Sequence, residues 1–160
     1  MRKAAFFFLI LIFGLIQATI LNYFRIFLVK PDFLFVIIVI ASLCFRPFWS
    51  VTFSIFAGFL KDVLGGSGAF GINTVLFPLW SLLVIRLDRE VSIDHHLSRA
   101  VLILIVVFLN DLIVRLIFLS SGTFIPFRVF SWVIILESFY TALVSPLVFN
   151  AIHPLIDSED

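Results

Sequence analysis

The sequence predicts an all-α integral membrane protein, a compact bundle of about six transmembrane helices joined by short loops. Composition is the first reason. Hydrophobic residues make up 62% of the chain and charged residues 13%, whereas a soluble domain is roughly half apolar and about a quarter charged. The second is that the apolar residues fall in continuous runs, many of them near the roughly 20 residues that a helix needs to cross a hydrocarbon core about 30 Å thick. A membrane β-barrel would instead alternate in polarity over segments of about ten residues. The helices take up nearly all of a single domain over residues 1–160.

The elements follow in order. Residues 4–24 form the first apolar run, closed by Arg25. Met1-Arg2-Lys3 ahead of it resembles a secretory signal, but the run exceeds the roughly 7–15 residues of a signal core and lacks an A-x-A-like cleavage site. It is read as a retained first span. The second helix, 31–45, opens at Pro31-Asp32, where proline suits the first turn and aspartate the positive end of the helix dipole. It is short for a crossing. The third, 47–64, carries Lys61-Asp62 in its last turn and ends at the breaker run Gly65-Gly66-Ser67-Gly68. The fourth covers 70–86, ahead of a polar stretch that reaches Arg99. The fifth spans 97–119 and stops at Ser121-Gly122. The sixth runs over 127–152, with Pro146 expected to kink it.

Orientation follows from the Lys and Arg residues of short loops. With the N-terminus cytoplasmic, Arg2, Lys3, Arg46, Arg86, Arg89 and Arg99 lie inside, against Arg25, Lys30, Lys61 and Arg128 outside. That bias favours both termini in the cytoplasm.

Several function classes lose support. A net charge of +1 and the lack of a long basic run leave no nucleic-acid footprint. The single cysteine, Cys44, cannot form an internal disulfide and reads as a small hydrophobe. The glycine run lacks the Lys-Ser/Thr of a phosphate loop. His95-His96 and His153 have no metal-site spacing, and Ser120 and Ser121 have no Gly-x-Ser-x-Gly context. The expectation is a non-enzyme without cofactor or metal.

Ionisable groups within a span cost roughly 2.5–3.5 kcal/mol each on insertion scales, so each needs a reason. Asp111 and Arg115 stand four residues apart, a spacing that allows an ion pair on one helix face. Glu137, near the middle of the sixth helix, is placed to join Arg115. Steps of four back and forward from Asp62 give Ser50, Ser54, Gly58, Asp62 and Gly66, a stripe of small or polar residues on the third helix. Small residues at that spacing admit a second helix at close range, either from this chain or from another protein. Gly14, Ala18 and Asn22 repeat the spacing in the first helix, and Glu137, Thr141 and Ser145 in the sixth.

Pro31-Asp32 opening the second helix, Gly58-Phe59-Leu60-Lys61-Asp62 followed by Gly65-Gly66, and Phe70-Gly71 opening the fourth resemble the pattern of the rod shape-determining protein MreD family. Asn110-Asp111 and the sixth-helix pair Glu137 and Pro146 extend the likeness, whereas Arg115 and Glu137 themselves match no family-wide motif. The resemblance implies a bacterial inner-membrane protein, without enzymatic activity, in the machinery that builds lateral peptidoglycan. It further implies binding to the bitopic protein MreC, and through it a link between the MreB filament and the RodA glycosyltransferase with its penicillin-binding transpeptidase. Two alternatives come from other classes. One is a membrane-embedded solute-binding subunit like the S components of energy-coupling-factor vitamin transporters, which are also compact six-helix chains and share an architecture with MreD-like proteins. The other is a small proton-coupled carrier built on the buried charges.

Overall fold

A computed structural model describes residues 2–19, 31–65, 71–91, 96–120 and 127–157. Six helices make up these segments: α1 (Arg2–Thr19), α2 (Phe33–Cys44), α3 (Pro47–Gly65), α4 (Ile72–Val91), α5 (His96–Ser120) and α6 (Phe127–Asp157). The differences from the sequence reading lie at the ends. Pro31 and Asp32 precede α2 rather than belonging to it, because Asp32 is its N-cap. α4 continues past residue 86 to Val91, and its Arg86 and Glu90 form an exposed i,i+4 ion pair at 3.7 Å. α6 stays helical past Pro146 to Asp157. The expected end of the first helix beyond Thr19 falls outside the described residues.

Two helices contain a stretch long and apolar enough to cross a membrane, Ser98–Ser120 in α5 and Ser131–Ile152 in α6. The other four fall short for visible reasons. α2, at 12 residues, is about 18 Å long, well under the roughly 30 Å hydrocarbon thickness. α1 offers only the short apolar helix Lys3–Thr19. α3 carries Ser50, Thr52, Ser54, Lys61 and Asp62, and α4 ends in charges.

The six helices enclose a core with α2 at its centre. α2 packs against all five other helices, while α3 pairs with α4 and α5 with α6. Leu34 through Ser42 are buried without a break, so α2 has no polar face to show. Aromatic packing closes one end of the bundle, where Phe6 of α1 meets Phe45 and Phe53 at ring separations of 4.9 and 4.7 Å. At that same end Lys3 lies over the Trp49 ring and Arg99 over Phe149, at 4.1 and 4.4 Å.

Beside this apolar core, polar groups are buried and large apolar side chains face outward. Gln17, Asp32, Asp62, Asn73, Asn110, Asp111 and Thr141 are buried, while Phe8, Val75, Leu79, Leu143 and Leu147 are each more than half exposed.

Candidate functional site

The polar residues gather where the ends of α1, α3 and α5 meet the starts of α2, α4 and α6, which also establishes that successive helices alternate in direction. Asp32 organises one half of this region. Its carboxylate accepts from the Phe35 N–H at 3.2 Å, capping α2, and from Gln17 Nε2 of α1 at 3.1 Å. Its other oxygen is ion-paired with Lys61 of α3. Its backbone N–H donates to Thr141 Oγ1 of α6 at 3.1 Å, and Gln17 Oε1 accepts the Leu34 N–H at 3.1 Å. One buried residue thus ties four helices together, which explains why Pro31-Asp32 opens the second helix here. A carboxylate at a helix N-terminus satisfies orphan N–H groups that lipid cannot.

Asp62 organises the other half. It accepts from the backbone N–H groups of Gly71, Asn73 and Thr74 at 3.1, 3.2 and 2.9 Å, and from Asn73 Nδ2 and Thr74 Oγ1 at 2.8 and 2.7 Å. The last turn of α3 thereby caps the first turn of α4. Gly71 enables the turn with a φ of 100°, a left-handed conformation that costs glycine little.

The Ser50, Ser54, Gly58, Asp62 stripe is occupied by α4 of the same chain. A Cβ on Gly58 would lie 2.4 Å from the Asn73 carbonyl oxygen, so the two backbones are in contact there. Further along, Ser50 and Ser81 hydroxyls sit 2.7 Å apart, and Ser42 of α2 lies 2.9 Å from Ser81. A face that sequence spacing left open between this chain and a partner is therefore filled from within. Gly14 makes the corresponding approach for α1, its missing Cβ giving room to Leu60. Gly65 ends α3; Gly66, Phe70 and Asn22 lie outside the described residues.

The charge group forms one of its two expected pairings. Arg115 Nη2 meets Glu137 Oε2 of α6 at 3.3 Å, and no Asp111–Arg115 bridge forms among the described residues. Four-residue spacing permits that bridge, but α6 brings a second carboxylate to the guanidinium. Asp111 instead accepts from Asn110 Nδ2 at 3.4 Å, while Asn110 Oδ1 takes the Trp80 indole N–H at 3.0 Å.

Between these networks lies a cavity of about 260 Å³ lined by Lys61, Asn73, Asn110, Asp111, Arg115 and Glu137, with Gln17, Gly14 and Ala18 along the α1 wall. Sequence reasoning found its charges but missed Gln17 and Asn73, and outside the cavity it missed Ser81. A lone amide in an otherwise apolar run, as Gln17 is, carries the same signal as a charge, since it too must be satisfied within the bundle. No group of His, Cys, Asp and Glu suited to a metal occurs among the described residues.

An all-helical bundle with an apolar core, a polar cavity beside it and two helices long and apolar enough to cross a membrane has the character of a membrane-associated protein. The family model for the rod shape-determining protein MreD matches residues 1–153. The chain belongs to that family, a family of membrane proteins that determine rod shape. No curated protein and no solved structure matches the chain significantly.

Proposed function

We propose that this chain is a non-enzymatic scaffold of the bacterial cell-elongation machinery. In this reading all six helices lie in the inner membrane, with both termini cytoplasmic. The chain receives the transmembrane helix of an MreC-like protein and helps couple MreB filaments to RodA and its penicillin-binding transpeptidase. The observation that carries the reading is the family match over 1–153. The fold is in keeping with it, because the described chain outside the helices consists of short connections. Since α4 occupies the small-residue stripe of α3, the partner's helix belongs on an outward apolar face such as that of Phe139, Leu143 and Leu147 on α6.

The test is purification of the tagged chain from its host membrane. Recovery of an MreC-like protein, lost when a bulky photo-crosslinking residue replaces Leu143 but kept with one at Val75, supports the reading. Normal cell width after depletion, with no such partner recovered, overturns it.

The cavity favours a second reading, a solute-binding subunit resembling energy-coupling-factor S components. Several polar groups converge on a concavity there, as ligand sites require. Mass spectrometry of the detergent-purified protein discriminates, since a stoichiometric vitamin moves this reading ahead.

A further inference from the structure

The cavity holds more hydrogen-bond acceptors than its own donors satisfy. Among the described residues, Asp111 Oδ2 and Asn73 Oδ1 are buried without a hydrogen-bond partner. Both side chains line the cavity and each residue is only 6% exposed. An unmade buried hydrogen bond costs about 1–3 kcal/mol, and more for a charged group, so two at one cavity call for a common cause.

The charge inventory points the same way. The cavity's two cations, Lys61 and Arg115, each hold a carboxylate already, those of Asp32 and Glu137. Asp111 makes no ion pair among the described residues. One cation that brings hydrogen-bond donors would satisfy both acceptors and pair with Asp111.

That requirement selects among cations. A hard metal ion needs six or so oxygen ligands, and this wall presents two free acceptors beside two cationic side chains. A quaternary ammonium brings charge without donors and is recognised by aromatic cages, yet among the described residues Phe118 is the one aromatic residue lining the cavity. A primary ammonium supplies both charge and N–H groups. A cavity of about 260 Å³ has room for several waters, which leaves space for a short chain behind the nitrogen.

We propose that the cavity binds a primary ammonium group, with Asp111 as its counter-ion and Asn73 Oδ1 as its second acceptor. A free amine and the ethanolamine headgroup of a lipid share this chemistry.

Thermal unfolding of the full chain tests the proposal in two arms. In detergent, ethanolamine is titrated against tetramethylammonium and sodium chloride at matched ionic strength; in nanodiscs, phosphatidylethanolamine is compared with phosphatidylcholine. A saturable rise in Tm specific to ethanolamine identifies a free amine, and one specific to the ethanolamine lipid identifies the headgroup; either supports the site. Asp111→Asn should weaken half-saturation about tenfold or more, as expected for a lost charge-assisted hydrogen bond. A rise shared by tetramethylammonium or sodium, a response that survives Asp111→Asn, or no response in either arm overturns it. Should Asp111→Asn fail to fold, the comparison of cations on the unaltered chain decides alone.

Discussion

Lys61, in the last turn of α3, is ion-paired with Asp32, the residue that caps α2. The two are not equally enclosed. The Asp32 side chain is 1% exposed and that of Lys61 21%, and the ammonium also lies 5.1 Å from the Phe77 ring centre. The pair joins helix capping to helix packing, so its two halves should respond differently to mutation.

Lys61→Met removes the charge opposite a buried carboxylate and is expected to destabilise by about 3–5 kcal/mol, the usual cost of stranding a buried charge. Asp32→Asn should cost less, because asparagine caps a helix about as well and Lys61 retains a route to solvent. In equilibrium unfolding in micelles, the double variant should be more stable than Lys61→Met alone. Additive losses in this cycle would remove the pairing argument.

Asp62→Asn replaces one acceptor oxygen by an NH₂ group facing donors from Gly71, Asn73 or Thr74. A loss of about 2–4 kcal/mol is expected, since each bond to a charged acceptor is worth about 1.5–3 kcal/mol. Hydrogen exchange should rise at the first turn of α4 before it rises in α5. Uniform exchange across both helices would refute Asp62 as a local cap.

Gly58→Ala and Gly14→Ala separate two kinds of close approach. At Gly58 the added carbon meets backbone of α4, whereas at Gly14 it meets the flexible end of Leu60. The Gly58 change should cost about 1–3 kcal/mol, in the range of core overpacking, and the Gly14 change clearly less. Thermal unfolding of the two variants checks the order.

The buried hydroxyls of Ser42, Ser50 and Ser81 lie within 2.7–3.1 Å of one another. Removing any one leaves the others short of a partner, so single alanine variants should each cost about 1 kcal/mol. The triple variant should cost less than their sum, as expected for a shared network. Strict additivity would mean that the three act independently.

Helix number and placement were legible because the apolar runs are continuous and the breakers between them are conspicuous, although only two of the six helices are long and apolar enough to cross a membrane. Asp62 was legible as a position, since small residues at four-residue steps announce a close approach. What approaches was not, because spacing measures distance and carries no name. For Arg115 the expected contact with Glu137 is present, while the i,i+4 pair with Asp111, permitted by spacing, does not form among the described residues because spacing does not choose between two carboxylates. Asp32 shows the limit from the other side. Its place at a helix start was evident, but its bonds to Gln17, Lys61 and Thr141 span 15, 29 and 109 residues and belong to tertiary packing.

The enclosure of α2 imposes an order on biogenesis. A 12-residue helix leaving the ribosome cannot hold a stable crossing by itself, since its ends would leave backbone groups in hydrocarbon. α1 and α3 can shelter it first, Gln17 and Lys61 meeting Asp32 from either side. The Asp32 N–H, however, waits for Thr141, which is synthesised more than a hundred residues later. The second helix is therefore completed by the last, and a nascent chain halted before α6 should still be open to quality-control proteolysis at Pro31-Asp32.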